Sequence, residues 1–146
     1  MICLRHFIAE DIPALQKVYP DMTEQEVRDM LQQWHEMKYN GRYFEMFAVI
    51  SGGQIVGSVS LRKQSRSIVS AGIDILDSER GKGLGSEAFS LLIQHASGNG
   101  YRIILDQVRK DNTSSIRLHE KLGFESDGYV YRNQKDHEVV LYLKVL

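Results

Sequence analysis

Residues 77–86 read Asp-Ser-Glu-Arg-Gly-Lys-Gly-Leu-Gly-Ser. This glycine-rich turn joins an apolar, strand-like segment at 71–76 to a helical pattern that begins near Leu84. The first backbone N–H groups of a helix have no partner inside the helix, and the helix dipole is positive at that end, so the turn is suited to bind a phosphate. Arg80 and Lys82 add cationic side chains at the same place. The alternative is a corner whose glycines only ease the change of direction.

The composition is that of one ordinary globular domain, which we expect to span 1–146. Hydrophobic residues make up 42% and charged residues 25%. The net charge of −1 predicts no general attraction to nucleic acid or to an anionic membrane. The single cysteine, Cys3, excludes an internal disulfide and favours a cytoplasmic location. His6, His35, His95 and His137 share no metal-ligand spacing. We therefore expect no metal, no nucleic-acid partner and no membrane span.

Hydrophobic periodicity and turn residues predict the order β-α-α-β-β-β-α-β-α-β-β. The strand at 67–76, the helix from Leu84 and the strand at 103–105 form a strand–helix–strand unit, which implies a right-handed parallel crossover. The other strands read as antiparallel, so the sequence predicts an α+β sandwich with a mixed sheet. The expected strands lie at 2–8, 46–50, 55–61, 67–76, 103–105, 129–132 and 139–145, and the helices run from Asp11 to Pro20, Thr23 to Asn40, Leu84 to Gly98 and Asn112 to Gly123.

The glycine-rich turn also fits a second phosphate-binding pattern. Residues 83–88 match G-x-G-x-x-A, the dinucleotide fingerprint, and Asp106 lies about 20 residues further on, where an acid that binds the ribose belongs. That fingerprint should follow the first strand of a parallel sheet, whereas three antiparallel-type strands precede it here. A nicotinamide-dependent enzyme is therefore the less consistent alternative.

A second segment distinguishes between the two patterns. Residues 112–124 read Asn-Thr-Ser-Ser-Ile-Arg-Leu-His-Glu-Lys-Leu-Gly-Phe and resemble the hallmark helix of the GNAT superfamily of N-acyltransferases. Residues 80–85 resemble the acyl-CoA loop of that superfamily, Q/R-x-x-G-x-G/A. The resemblance implies a three-layer α/β/α sandwich around a centrally splayed mixed sheet. It also implies transfer of an acetyl group from acetyl-CoA to a primary amine, on a small molecule or a protein N-terminus.

The resemblance assigns cofactor contacts to both segments. The pantetheine arm would pair with the strand before the loop, at Ile75 and Leu76, and one of these two N–H groups would hold the oxyanion. Asn112 and Ser115 match positions that bond the pantetheine or the phosphates, although Asn112 is equally suited to cap the helix. The pyrophosphate would bind the backbone of Arg80, Gly81, Lys82, Gly83, Gly85 and Ser86.

The resemblance also locates candidates for proton transfer. Where many members have a tyrosine that protonates the departing thiolate, this chain has His119, as in the phosphinothricin acetyltransferases; a packed, hydrogen-bonded histidine is the alternative. Asp74 shares a strand face with Leu76 that looks toward the acceptor in the family, so we expect it to be the general base. An ion pair with a basic neighbour is the alternative for Asp74. Asp106 is the second candidate for the base, and Glu45 or a chain of water molecules alone are the remaining alternatives.

Few features of the sequence indicate the acceptor or the partners. In the family the first two helices wall the acceptor site, so the resemblance suggests that Trp34, Tyr39, Tyr43 and Phe44 shape it. The closing strands offer an edge for a homodimer. The missing tyrosine keeps open a catalytically silent acyl-CoA-binding regulatory module as the alternative function.

Overall fold

The computed structural model describes residues 1–39 and 41–146. Its order of elements confirms the predicted one, with a two-residue strand added after the second helix. The strands are β1 (Ile2–His6), β2 (Lys38–Tyr39), β3 (Arg42–Ser51), β4 (Gln54–Lys63), β5 (Ile68–Ile75), β6 (Ile103–Arg109), β7 (Val130–Arg132) and β8 (Glu138–Val145). The helices are α1 (Ile12–Val18), α2 (Glu24–His35), α3 (Leu84–Gly98) and α4 (Thr113–Lys121), and short 3-10 turns lie at Ala9–Asp11 and Asp77–Glu79.

The second helix is shorter than predicted. It begins at the expected capping box, in which the Thr23 hydroxyl accepts from the Glu26 N–H and the Glu26 carboxylate accepts from the Thr23 N–H. It ends at His35, and the chain turns at Met37, which has a φ of +53°. The helix stop predicted at Asn40 lies outside the described residues.

The sheet is mixed, as predicted, with the strand order β1-β3-β4-β5-β6-β8-β7 and with β2 paired to β3. Gly52 and Gly53 have φ values of +57° and +76° and form the two-residue turn between β3 and β4. Of the strand pairs in the described part of the chain, β5–β6 alone is parallel. A doubly wound parallel sheet, which the dinucleotide alternative requires, is therefore not the architecture of this chain.

The two central strands part after a short stretch of pairing. β5 pairs with β6 at Ile68↔Ile103 and Val69↔Ile104, and the paired segment ends there in the described structure. On its other side β5 stays paired with β4 as far as Ile75. One edge of β5 from Ser70 to Ile75 therefore faces a gap, and the sheet is splayed at its centre.

Helices cover both faces of this sheet, which confirms the three-layer sandwich. On one face α1 and α2 pack on residues such as Ala48, and on the other α3 and α4 enclose a larger core around Phe89 and Ile104. Alternation along β3 explains the division, because Phe47 and Val49 join the second core while Ala48 joins the first.

Local hydrogen bonds fix both ends of α4, the helix of the second motif. The Asn112 Oδ1 atom accepts from the Ser115 N–H at 3.1 Å, so Asn112 is an N-cap. At the other end Gly123 has a φ of +83°, and the Phe124 N–H donates to the His119 carbonyl at 3.0 Å. This Schellman end is the predicted one. At α1, by contrast, the Asp11 carboxylate caps the preceding turn by accepting from the Ile8 N–H at 2.8 Å.

Candidate active site

The two motif segments meet at the open edge of β5. They line a cavity of about 350 Å³, a size within the usual range for small-molecule sites. Predicted cofactor residues supply much of the lining, whereas Leu76, Lys82 and Ser86 lie outside it. The lining residues are Ile73, Asp74, Ile75, Glu79, Arg80, Gly81, Gly83, Leu84, Gly85, Asn112, Ser114, Ser115 and Leu118.

The glycines of the loop have two different roles in its shape. Gly81 and Gly83 have φ values of +80° and +77°, a left-handed conformation that favours glycine, and an added Cβ would meet nothing within 4 Å at either position. At Gly85 a Cβ would contact Ile75 Cγ1 at 3.6 Å and Ile73 Cδ1 at 3.7 Å. The first two therefore shape an open turn, while Gly85 seats the first turn of α3 close to β5.

Hydrogen-bond parity along β5 distinguishes the two candidate backbone donors. The Leu76 N–H donates to the Val56 carbonyl of β4 at 2.9 Å. Because successive residues of a strand direct their backbone groups to opposite sides, the N–H and carbonyl of Ile75 point toward the gap. The same parity appears at Ala71, whose N–H donates across the gap to Asp106 Oδ1 at 2.8 Å. Of the two residues predicted to hold the oxyanion, Ile75 has the suitably directed amide.

Acidic neighbours pair with both cations of the loop. The Arg80 Nε–H donates to the Ile75 carbonyl at 3.0 Å, and its guanidinium lies 3.2 Å from Asp77 Oδ1 and 3.6 Å from Asp74 Oδ1. Lys82 Nζ donates to Glu79 Oε2 at 2.8 Å. These pairs are mostly exposed and individually weak, so a phosphate can replace the carboxylates as their partner.

Asp74 lies between two cavities. Its side chain is 69% exposed and forms the ion pair with Arg80 that was the alternative to a catalytic role. It lines the cofactor-sized cavity and also a cavity of about 20 Å³ beneath α1 and α2, which Tyr19 and Trp34 share. Burial of the Tyr19 phenol and the nearby charge of Asp74 raise the pKa of that phenol. The carboxylate is thus open to solvent at the junction of the two cavities.

Of the four aromatic residues predicted at the acceptor site, Trp34 and Tyr43 lie on opposite sides of the sheet. Trp34 lines the small cavity and contacts the Phe7 ring, with centroids 5.1 Å apart. Tyr43 instead donates its hydroxyl to Glu45 at 2.9 Å, on the face covered by α3. Phe44 lies on β3, and the Tyr39 side chain lies outside the described residues.

Glu45 is the centre of a polar cluster that the sequence did not reveal. Its carboxylate lies 2.7 Å from His6 Nε2 and 2.8 Å from His95 Nε2, besides accepting from Tyr43. Burial raises the pKa of this carboxyl, but the three hydrogen bonds together outweigh burial and hold it below its ordinary value. Glu45 pairs with Leu61, which pairs with Ala71, so two strand spacings, about 10 Å, separate Glu45 from the open edge of β5. It lines neither of the two cavities that Asp74 lines, which argues against its use as the general base.

Asp106 and His119 form a buried pair beneath the gap. Each residue is 4% exposed, and His119 Nε2 lies 2.9 Å from Asp106 Oδ2. His119 Nδ1 lies 2.8 Å from the Ser115 carbonyl oxygen. The imidazole ring also packs edge-on against Phe89 and Phe124, with centroids 5.3 and 4.7 Å apart. Both carboxylate oxygens of Asp106 are engaged, which argues against its use as a general base.

Residues 1–39 and 41–146 contain no group of three histidine, cysteine, aspartate or glutamate side chains arranged to hold a metal ion. Their helices include none that is both long enough and apolar enough to cross a membrane.

The chain is similar to known acetyltransferases in sequence and in fold. Residues 2–125 match the domain family described as "Acetyltransferase (GNAT) domain". Curated relatives from Pseudomonas aeruginosa and Pseudomonas paraeruginosa, named L-methionine sulfoximine/L-methionine sulfone acetyltransferase, are 29% identical over 102 residues. That alignment covers 66% of this chain and 59% of the relatives, so the chain matches less than two thirds of their length.

Two solved structures share the fold over nearly the whole chain. One is an acetyltransferase from Salmonella typhimurium that modifies the N-terminal serine of ribosomal protein L7/L12, with a TM-score of 0.82, 18% identity, and coverage of 99% of this chain and 95% of that one. The other is yncA, a putative acetyltransferase from the same organism solved with acetyl-CoA, with a TM-score of 0.76, 19% identity, and coverage of 100% and 94%.

Proposed function

Since this chain belongs to the family of acetyltransferase (GNAT) domains, we propose that it transfers an acetyl group from acetyl-CoA to a primary amine. The observation that carries the proposal is the 350 Å³ cavity in which the glycine loop, the first turn of α4 and the open edge of β5 come together. The solved acetyltransferase that contains acetyl-CoA supports the choice of cofactor.

The cofactor would bind across both motif segments. We assign the pyrophosphate to the turn at 80–86, where the N-terminus of α3 and the two loop cations favour a dianion. Arg80 and Lys82 would then exchange their acidic partners for phosphate oxygens. The pantetheine arm would lie along β5 and bond Ile75, beside Asn112 and Ser115 of α4.

The chemistry would be direct attack. The amine nitrogen forms a bond to the thioester carbonyl carbon, and the C–S bond breaks. CoA leaves as the thiolate and takes up the second proton that the nitrogen loses, directly or through water, to give the free thiol. The Ile75 N–H would stabilise the oxyanion of the tetrahedral intermediate. Asp74 would attract the cationic amine and accept its proton, directly or through water, since its carboxylate is exposed at the junction of the two cavities.

The acceptor class stays a broad prediction. The curated relatives are named for small amino-acid derivatives, and one solved neighbour is named for a protein N-terminus. A panel containing both kinds of primary amine, assayed by release of free thiol from acetyl-CoA, tests the proposal. Acetyl-CoA binding with thiol release on at least one amine is the expected result. Binding without turnover on any amine would favour the regulatory module, and preferential binding of NAD would contradict the cofactor assignment.

Three further predictions accompany the proposal. A single domain over 1–146 should unfold in one cooperative transition.

A cytoplasmic location is predicted from the unpaired Cys3 and the acetyl-CoA requirement, and fractionation of cells tests it. Homodimerisation through the closing strands is predicted from β7, which lies at an end of the sheet, and light scattering tests it.

A further inference from the structure

Side chains replace the backbone ladder at the point where β5 and β6 part. Immediately beyond the paired Val69 and Ile104, the Ser70 hydroxyl donates to the Leu105 carbonyl at 2.8 Å. One residue further on, the Ala71 N–H donates to Asp106 Oδ1 at 2.8 Å. The Asp106 carboxylate therefore takes the place of a strand partner where the gap begins.

The other oxygen of this carboxylate continues the connection to α4. Asp106 Oδ2 lies 2.9 Å from His119 Nε2, and His119 Nδ1 lies 2.8 Å from the carbonyl oxygen of Ser115. Ser115 lines the cofactor-sized cavity in the first turn of α4, and the opposite wall of that cavity is β5. One chain of hydrogen bonds thus runs from one wall of the cavity, through β6, to the other.

The hydrogen-bond partners of the pair occupy both imidazole nitrogens. Ser115 offers a carbonyl oxygen at 2.8 Å, so His119 Nδ1 carries a hydrogen to bond it. Asp106 Oδ1 already accepts from the Ala71 N–H, so Asp106 Oδ2 shares one hydrogen with His119 Nε2. Every polar group in this arrangement then has a partner. Both ring nitrogens are committed, and neither is directed at a departing thiolate.

We propose that Asp106 and His119 are positioning residues: a buried brace that fixes the spacing between the open edge of β5 and the first turn of α4. His119 occupies the position where many family members have a proton-donating tyrosine. In this role it does not donate a proton but holds α4 in place through its hydrogen bonds. The activity readout rests on the proposed function. The binding readout uses CoA alone and does not require turnover.

Two substitutions at Asp106 separate geometry from charge. In Asp106→Asn the amide oxygen can still accept from the Ala71 N–H, and the amide nitrogen can donate to Nε2 of a neutral His119 whose Nδ1–H keeps its bond to Ser115. All three hydrogen bonds survive without the charge. Asp106→Ala removes the bridge to both walls. If the pair acts by geometry, Asp106→Asn restores what Asp106→Ala loses.

CoA binding by calorimetry is the first measurement. We expect Asp106→Ala to weaken binding by about tenfold or more, and Asp106→Asn to stay within about threefold of wild type, since tenfold corresponds to about 1.4 kcal/mol. Glu45→Gln is the matched control, because it alters a second buried carboxylate–histidine cluster on the same face, three strands away. It should bind CoA as wild type does.

Steady-state kinetics across pH is the second measurement. A positioning role predicts that Asp106→Asn retains both the pH profile of kcat and most of its magnitude. A fall in kcat by about 100-fold, with CoA affinity unchanged and the alkaline limb of the profile lost, would instead identify the pair as a proton donor. A folded Asp106→Ala variant with wild-type CoA affinity would equally overturn the proposal.

A further variant serves if Asp106→Ala does not fold. The double substitution Asp106→Asn with His119→Phe keeps a ring packed against Phe89 and Phe124 and leaves no charge buried. It retains the bond to Ala71 and loses the bonds to α4. We expect CoA affinity to fall relative to Asp106→Asn alone, and equal affinity of the two would contradict the brace.

Discussion

A buried carboxylate pairs with a histidine at two places on the face covered by α3 and α4. The Glu45 carboxylate of β3 lies 2.8 Å from His95 of α3, and the Asp106 carboxylate of β6 lies 2.9 Å from His119 of α4. Both carboxylates are buried, yet their surroundings differ. The His6 and His95 side chains around Glu45 are 46% and 33% exposed, whereas His119 is as buried as its partner.

The difference lies in what each cluster joins. At Glu45 β3 is paired with β4, and the ladder between β1 and β3 reaches the neighbouring pair, His6↔Phe47. The cluster therefore reinforces strands that the ladder already holds. Asp106 stands where the ladder between β5 and β6 has ended, and it bonds Ala71 in place of a strand partner. The Asp106–His119 pair therefore affects the cofactor cavity because of its position in the sheet, and not because its chemistry differs from that of the Glu45 cluster.

The largest expected effect is on stability, and it separates the two clusters. Asp106→Ala should lower the free energy of unfolding by about 3–5 kcal/mol, because it leaves the imidazole of His119 and the Ala71 N–H buried without their partner. Glu45→Ala should cost about 1–3 kcal/mol, since His6 and His95 can turn to water. Urea unfolding of both variants measures the two values. Equal losses would show that solvent access to the histidines does not distinguish the clusters.

The next effect concerns a carboxylate of the opposite kind, exposed rather than buried. Asp74→Asn should lower kcat by about 100-fold, the usual contribution of a general base, with little change in the KM for acetyl-CoA. Asp77→Asn is the matched control, because Asp77 pairs with the same Arg80 but does not line either cavity that Asp74 lines. Comparable losses in the two variants would mean that the ion pair with Arg80, and not proton transfer, is what matters.

Local signals predicted much of this fold, and the reason is visible at α4. Asn112 caps the helix three residues from its partner, and Gly123 ends it through contacts within five residues. Such features need no knowledge of the rest of the chain. The splayed sheet came instead from the family resemblance, because no local pattern states where two parallel strands part.

Features that depend on long-range placement were not predicted. The Glu45 cluster joins residues 6, 43, 45 and 95, and no spacing in the sequence marks them as neighbours. The bond between Asp106 and His119 needs the relative position of β6 and α4. Alternation along β6 offered a usable signal, since Asp106 falls between Ile104 and Val108, which both face the core under the helices. The parity that separates Ile75 from Leu76 likewise depends on the register between β4 and β5.

Glycines flank α3 at both ends and allow a further comparison of the two regions. Gly83, before α3, lines the cofactor cavity, and Gly100, after α3, lies near the Glu45 cluster. Gly83 and Gly100 have φ values of +77° and +85°, and an added Cβ meets nothing within 4 Å at either. Alanine at each position should cost a similar strain of about 1–2 kcal/mol. Gly83→Ala should also raise the KM for acetyl-CoA by about tenfold, equivalent to about 1.4 kcal/mol, by disturbing the turn that holds the pyrophosphate. An equal rise in KM for Gly100→Ala would place the effect in helix stability and not in the turn.

The smallest expected effect is the acid sensitivity of the Glu45 cluster. Burial raises the pKa of this carboxyl, but hydrogen bonds from His6, His95 and Tyr43 outweigh burial, so the pKa in the folded protein lies below its value in the unfolded chain. Protons therefore bind the unfolded chain more readily, and the stabilisation is present above about pH 4.3, the ordinary value for glutamic acid, and is lost as the pH falls through the folded-state pKa. Glu45→Gln removes this contribution. The difference in unfolding free energy between wild type and Glu45→Gln, followed by urea titration at descending pH, should change in favour of the variant below that point. A difference that stays constant with pH would show that the three hydrogen bonds do not favour the ionised carboxylate. Position in the sheet, and not charge, would then distinguish Glu45 from Asp106.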